Sequence, residues 1–371
     1  MKPVRVLYVG GGSLDRGGIA SWMLNYASHF DRERVAVDFL VHGSESGARE
    51  AEALGLGATV YHIPYRRNDP AGNRKCLLQA IRAGYDVVHA HMDGMNAYPL
   101  ELAKKAGVPV RISHSHNTDF LTGNPIRRAV HELARRRIPA SATHLLSCSE
   151  NAGRFLYGDA LVNAGKVTIV RNAIDAGQYR YNESTRTTVR AEIGLNGRFV
   201  IGHIGRFDLR QKNQLFLLNA FAEAKKTRGA LALVLVGDGQ DRPQIEAQIS
   251  RLGLERDVVL AGFREDVPAL LSAFDLFVLP SVFEGLGIVL IEAQASGLSC
   301  LASDAIPRDT QIADCAYLSL DDTAAWANAF VHAASPITRN FPEREIIERG
   351  YAISTAAAQL QAYYEKAAGR V

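Results

Sequence analysis

Two glutamates eight residues apart, Glu284 and Glu292, lie in the stretch Ser281-Val-Phe-Glu-Gly-Leu-Gly-Ile-Val-Leu-Ile-Glu-Ala-Gln-Ala-Ser-Gly297. The apolar run 276–279 ahead of them reads as a strand, stops at Pro280 and empties through Gly285 and Gly287 into a segment of helix formers. A strand that turns through glycine into a helix presents unpaired backbone N–H groups and the positive end of a dipole, which suits a phosphate. Two helical turns further, about 12 Å at about 1.5 Å per residue, Glu292 is placed to take a pair of sugar hydroxyls. That separation matches the span of an activated sugar nucleotide, although a solvated pair of helix glutamates would show the same spacing.

The segment resembles the E-x7-E element of the retaining glycosyltransferases of family 4, which have the GT-B fold. Pro280-Ser281 before it, and Ala293-Gln-Ala295 with Gly297 after it, fall where that family has Pro-Ser and Ala-x-Ala-x-Gly. Asn172-Ala-Ile-Asp175 is similar to the family's Asn-Gly-Ile/Val-Asp, with Ala173 in place of the usual glycine. Gly202-His-Ile-Gly-Arg-Phe-Asp-Leu-Arg-Gln-Lys-Asn213 is similar to its Gly-Arg…Lys element, so the resemblance gives Arg206 and Lys212 the grip on a donor diphosphate. Breaking a sugar–phosphate bond leaves negative charge on the departing nucleotide, and the chain has no Asp-x-Asp to hold a metal there. Cationic side chains and helix-terminal amides remain as the means of stabilising the leaving group; surface cations capping a loop would show the same pattern. Arg210 is a further cation without an assigned role.

As a whole, the resemblance implies donor contacts from Gly205, Arg206, Lys212, Gly237, Phe263, Arg264, Glu284, Leu286, Gly287, Ile288 and Glu292. Gly262-Phe-Arg264 is expected around the nucleotide base, where Phe263 or Arg264 could stack, and Val236-Gly-Asp-Gly239 near the donor. The catalytic set would be Glu284, His116, Arg206 and Lys212, with no metal and no cofactor beyond a UDP- or GDP-sugar co-substrate.

Ser113-His-Ser-His-Asn-Thr118 follows a strand-like run, and His114 and His116 share one side of an extended segment. In the family a histidine of this loop bonds the transferred sugar, and His116 is the choice here. Structural hydrogen bonding and metal ligation are the other readings of such a pair, the last without an acid or cysteine clustered in sequence. His89-Ala-His91-Met-Asp93 is a similar pair, functional or structural. Near the N-terminus, Gly10-Gly-Gly-Ser-Leu-Asp-Arg-Gly-Gly18 is broken as a dinucleotide fingerprint, because Asp15 stands where G-x-G-x-x-G needs its third glycine. As a loop opening a helix at Gly17-Gly18 it resembles the family's N-terminal glycine loop, between acceptor and donor phosphate; an ordinary glycine turn is the plainer reading.

A chain of 371 residues, 47% apolar and 22% charged, has the composition of a soluble globular protein and the length for two domains. No apolar run approaches the roughly 18 to 20 residues of a membrane span, and a strand at 4–9 follows the N-terminus with no signal-peptide pattern. Cys76, Cys148, Cys300 and Cys315 are scattered, which points to a reducing cytoplasm. Residues 1–180 hold 23 Lys/Arg against 16 Asp/Glu, net +7, and residues 181–371 hold 19 against 23, net −4. The basic half fits an anionic membrane surface or a phosphate-bearing acceptor. Nucleic acid fits poorly, since no aromatic residues interleave the basic ones to stack bases. Pro125-Ile-Arg-Arg-Ala-Val-His-Glu-Leu-Ala-Arg-Arg-Arg-Ile138 reads as a basic amphipathic helix opened by proline. Its stripe of Ile126, Val130, Leu133 and the Arg137 stem is expected to pack on the domain while the arginines face a membrane or a lipid pyrophosphate. A solvated cationic face is the common alternative.

Strand-like runs at 4–9, 35–40, 59–63, 87–90, 108–113, 144–147 and 167–170 alternate with helical periodicity, as at 20–30, 75–83 and 97–106. Continuous apolar strands between helices predict a doubly wound parallel sheet. After a polar passage to about residue 197 a second series follows, at 199–204, 231–236, 258–261, 276–279 and 299–302. Two Rossmann-like domains facing a cleft are implied, 1–178 for the acceptor and 179–352 for the donor. As in GT-B enzymes, the last helix, apolar at Ile353, Ala357, Leu360 and Tyr364, is expected to cross back, so that 353–371 packs on the first domain. The expected protein is an α/β, GT-B, retaining and metal-independent glycosyltransferase. It would move a sugar to a saccharide or polyprenyl-pyrophosphate-linked acceptor in surface polysaccharide synthesis, in the cytoplasm or peripherally on the inner face of the membrane. A non-catalytic GT-B subunit, a phosphorylase or an epimerase would share the fold. A nicotinamide oxidoreductase is undercut by the broken fingerprint.

Overall fold

Seven strands of the first half, β1 Val4–Gly10, β2 Val35–His42, β3 Val60–Ile63, β4 Val87–His91, β5 Val110–Ser115, β6 His144–Ser147 and β7 Val167–Ile169, form one sheet in the order β3-β2-β1-β4-β5-β6-β7. Six more, β8 Phe199–Ile204, β9 Leu231–Val236, β10 Val258–Gly262, β11 Leu276–Leu279, β12 Ser299–Ser303 and β13 Cys315–Leu318, form a second in the order β10-β9-β8-β11-β12-β13. The computed structural model describes residues 2–15, 17–120, 122–333 and 339–370. Every strand pairing within it is parallel. Parallel strands need crossovers, which carry helices onto the sheet faces, so β9 and β11 are buried along their whole length. In each sheet the order reverses beside the first strand, between β1 and β4 and between β8 and β11. Loops at the carboxyl ends of strands around such a switch point are where open α/β sheets bind ligands.

Two departures from the sequence reading matter for the site. β5 runs to Ser115, so His114 lies within the strand and His116 is the first residue past it. β13 was not expected at all: its four residues, Cys-Ala-Tyr-Leu, are too few to show a period, and only pairing with β12 makes them a strand.

The chain divides into two units, residues 1–174 with 350–371 and residues 175–349, rather than at 178/179 and 352/353. The reason is local. Ile174 donates its N–H to the Tyr351 carbonyl at 2.8 Å and accepts from Ile353 N at 3.0 Å, so the outgoing and returning chain are laced together in the first unit. The helix Ile353–Ala367 then packs there as expected, burying Ile353, Ala357, Leu360 and Tyr364 against Phe30, Phe39 and Tyr8. Gln361 accepts from the Asp31 N–H at 2.7 Å, and Glu365 takes the Arg34 guanidinium at 2.6 Å.

The basic helix Pro125–Arg135 sits the other way round from the expectation. Its apolar stripe is exposed, and the opposite face packs: Gly94 lies so close that a Cβ there would come within 3.1 Å of the His131 carbonyl and 3.0 Å of Phe120.

In the second unit the polar passage becomes a helix, Glu183–Glu192, tied down by charge. Arg186 and Arg190 both pair with Asp275, which is 1% exposed and also accepts the Val200 N–H at 2.8 Å. Burial alone would raise this carboxyl, but the Val200 N–H and the two guanidiniums outweigh it and hold the group below the usual carboxylate range. Its contribution to stability is therefore present above the ordinary carboxylate pKa and lost as pH falls through the depressed one. Asp275→Ala should lower unfolding stability by about 3 kcal/mol, because it leaves two half-buried cations without their carboxylate. Chemical denaturation at neutral pH checks this; an unchanged midpoint contradicts it.

Candidate active site

The loops after β8, β9 and β10 are stitched edge to edge: Gly205 N donates to Val236 O at 2.9 Å, Phe207 N to Asp238 O at 3.0 Å and Gly237 N to Gly262 O at 2.8 Å. Gly237 has φ +135, and a Cβ there would fall 2.1 Å from the Gly205 carbonyl, so no side chain fits. A Cβ at Gly205 would touch the Lys212 stem at 3.2 Å; glycine lets that lysine cross the loop. The short helix Leu209–Lys212 is capped by the Asp208 carboxylate, which accepts from Gln211 N. Asn213, left-handed at φ +55, then redirects the chain into the helix Gln214–Thr227. Asparagine tolerates that conformation better than most side chains.

This geometry delivers Lys212 to Glu284. The ammonium lies 2.5 Å from Oε1 of Glu284, the Ser281 hydroxyl donates to the same oxygen at 2.7 Å, and Gln211 Nε2 donates to Oε2 at 3.3 Å. Glu284 is 6% exposed, so three donors meet a carboxylate that has little water. The Gly-Arg…Lys and E-x7-E elements thus meet in space. Lys212 pairs with an acid of the protein, while Arg206 is exposed and its guanidinium has no hydrogen bond or ion pair among the described residues. Arg210 lies 5.7 Å from the centre of the Phe283 ring.

The helix beyond spans Ile288–Ala295, entered through Gly287 at φ +76 with no side-chain cap. Glu284 therefore precedes the helix, and the 12 Å helical rise expected between the two acids does not apply: the first half of the interval is loop. Glu292 accepts from the Tyr179 hydroxyl at 3.0 Å. Burial pushes its carboxyl up to about 7 against that hydrogen bond. Leu286 is buried, leaving its backbone as the part that could meet a ligand, and Ile288 is partly exposed. Of the two side chains expected at a base, Phe263 is 51% exposed. Arg264 is instead clamped by Asp266 and Glu192, each at 2.7 Å.

In the first unit, Gly17 caps the helix Gly18–Ser28 with no side-chain hydrogen bond, and a Cβ on Gly17 or Gly18 would meet open space. Asp15 anchors the loop before them by accepting from Ser13 and from Ala48 N at 3.0 Å. His89 and His91 on β4 meet His114 and His116 at the end of β5. His91 Nδ1 and His116 Nε2 share a hydrogen bond of 2.9 Å, and His89 Nε2 and His114 Nδ1 one of 3.2 Å. The two pairs pack on each other, His114 stacked on His116 at 4.2 Å and His91 tilted against His89 at 4.1 Å, and Trp22 packs edge-on against His114 at 4.7 Å. Burial holds all four imidazoles neutral, His116 down at about 3. His116 is 6% exposed and His114 fully buried, and the Nδ1 of His116 has no hydrogen-bond partner. His89, His91 and His114 bring ligand nitrogens within 4.8 Å of one another, the arrangement among the described residues that could hold a metal; no carboxylate or thiol joins it.

Sequence reasoning gave no role to Asp93, Tyr179, Gln211 or Ser281. Asp93, at φ +46, accepts from His116 N at 2.8 Å and Asn117 Nδ2 at 2.6 Å and so fixes the histidine loop. It stands two residues after His91, but a left-handed backbone leaves no mark in sequence. Ser281 was visible as part of Pro280-Ser281.

Residues 17–173 match the family model described as glycosyl transferase 4-like domain, and residues 198–335 that described as glycosyl transferases group 1. EpsF of Bacillus subtilis, named as a glycosyltransferase, is 36% identical over 93% of this chain and 90% of its own. The Escherichia coli UDP-Gal:alpha-D-GlcNAc-diphosphoundecaprenol alpha-1,3-galactosyltransferase is 28% identical over 67% of this chain and 66% of its own. The crystal structure of Anabaena HepE in complex with UDP superposes with a TM-score of 0.74 at 20% identity, covering 100% of this chain and 98% of that one.

The raised carboxyl of Glu292 has a measurable consequence. Stability that its protonated form contributes is present at low pH and lost as pH rises through about 7. Glu292→Gln, which keeps a partner for Tyr179, should match the parent in acid and exceed it by up to about 3 kcal/mol in mild alkali. Denaturation curves across that range test it; parallel pH profiles for the two proteins would contradict it.

Proposed function

Because the chain belongs to the glycosyltransferases of family 4, it is a glycosyltransferase, and we propose that it moves a sugar from a UDP- or GDP-sugar, with retention and without a metal, to a lipid-linked saccharide. The observation that carries this reading is Lys212 held on Glu284, with Arg206, exposed, in the loop six residues before that lysine. An ammonium has three donors, and Glu284 takes one of them at 2.5 Å, so others are left for a phosphate oxygen. Arg206, Lys212 and the uncapped N–H groups of the helix Ile288–Ala295 would together stabilise the diphosphate as it departs. Glu292 would hold the ribose hydroxyls, and the exposed ring of Phe263 is the better candidate of its pair for the base.

Retention needs the acceptor to attack from the face that the leaving group vacates. Glu284 makes a poor nucleophile, because Lys212, Ser281 and Gln211 stabilise its charge. The leaving phosphate then serves as the base for the acceptor hydroxyl. We assign His116 to the transferred sugar: a neutral imidazole with an unpartnered Nδ1 is a hydrogen-bonding group rather than an acid. The acceptor class, a saccharide on polyprenyl pyrophosphate in surface polysaccharide synthesis at the inner face of a membrane, is supported by the diphosphoundecaprenol named for the E. coli relative and by the basic first half.

Turnover by the purified chain should persist in excess EDTA, and Arg206→Ala should lower it at least about 10²-fold. Proton NMR should find an α-linked product from an α-linked donor. Activity abolished by EDTA and restored by Mg²⁺ or Mn²⁺, or a β-linked product, contradicts the mechanism. No nucleotide release with any donor would favour a non-catalytic subunit.

A further inference from the structure

The helix Pro125–Arg135 buries none of its residues. Ile126, Val130 and Leu133 are 74%, 51% and 67% exposed, although they stand four and three residues apart, on one face. Three branched aliphatic side chains in a row on an outer face are a liability in water, and here the packing makes the choice. The inner face is held by the His131 ring, 5.3 Å from that of Phe120, and by Arg135, which bonds the Phe155 carbonyl and pairs with Glu132 at 2.7 Å. The exposed face is therefore not a helix docked the wrong way for want of a partner.

Charge says what the face is for. The segment 125–138 holds five arginines and one glutamate. At about 100° per residue, Arg127 and Arg136 border the apolar stripe on its two sides, and both are exposed. A second copy seated on this face would set arginine against arginine, which opposes self-pairing. An aliphatic stripe bordered by cations matches the boundary between acyl chains and anionic headgroups, and pairs the two signals that stable membrane attachment needs.

We propose that this helix lies in the plane of an anionic bilayer, with Ile126, Val130 and Leu133 in the acyl boundary and Arg127 and Arg136 among the headgroups. No helix among the described residues is long and apolar enough to cross a membrane. The helix packs on the turn Asp93–Met95, whose Asp93 holds the backbone of His116. Docking would thus set the histidine loop one turn from the lipid surface. This goes beyond the transfer reading, which gives it a purpose, but vesicle binding needs no donor or acceptor.

The test is co-flotation of the full chain with vesicles of phosphatidylcholine and phosphatidylglycerol, against pure phosphatidylcholine. Binding should appear only with the anionic lipid and weaken with added salt. Arg127→Ala with Arg136→Ala should weaken it about 25-fold, at about 5-fold per cation near the surface. Ile126→Ser, Val130→Ser and Leu133→Ser together should abolish it while near-UV circular dichroism stays unchanged, since all three are exposed. The proposal is overturned if the chain does not float, if the triple variant floats equally well, or if light scattering shows a dimer that the triple variant dissolves. Transfer to a soluble saccharide acceptor, assayed in parallel, should be the same in parent and triple variant. Loss of transfer with flotation intact would remove the function and leave the surface standing.

Discussion

The ion pair between Lys212 and Glu284 is the constraint around which the second unit's strand-end loops are built. A carboxylate with 6% exposure costs several kcal/mol to desolvate unless it is paired and hydrogen-bonded. Ser281 and Gln211 supply further donors, and a Cβ on Gly205 would crowd the Lys212 stem at 3.2 Å. Gly205 in turn needs Gly237 beside its carbonyl, and Asn213 must turn left-handed to let the short helix end there. One buried charge thus ties these loops together.

The first unit solves a different problem. Four neutral imidazoles buried together find few other partners, and they pack ring against ring in two hydrogen-bonded pairs. The returning helix closes one end of the array: Tyr364 bonds His89 Nδ1 at 2.7 Å and the Tyr8 hydroxyl at 3.0 Å. The Nδ1 of His116 is left without a partner, as are the Nε2 atoms of His91 and His114. The helix that returns to this unit therefore orders the histidines as well as filling the core.

Much of this was legible in the residues. Continuous apolar runs gave the parallel strands, because a strand buried on both faces shows no alternation to hide. Pro280-Ser281, Glu284 and Glu292 with their glycines marked the turn into the helix Ile288–Ala295. What escaped depends on partners distant in sequence. Nothing near Arg264 announces that Glu192 will join Asp266 in clamping it. The side on which the helix Pro125–Arg135 packs was decided by Gly94 and Phe120, not by its own stripe. The eight-residue spacing from Glu284 to Glu292 does not reveal that the helix begins only at Ile288, after the left-handed Gly287.

A double-mutant cycle tests most directly whether Lys212 and Glu284 act as one unit in turnover. Lys212→Met, Glu284→Gln and the double variant would be compared for nucleotide release per enzyme under saturating donor, with folding checked by thermal unfolding. Each single variant should lose about 10²-fold, and the double variant no more than about the same, as expected for groups that act together. Losses that multiply to about 10⁴-fold would mean that the two side chains contribute independently, and the account of the site would fail.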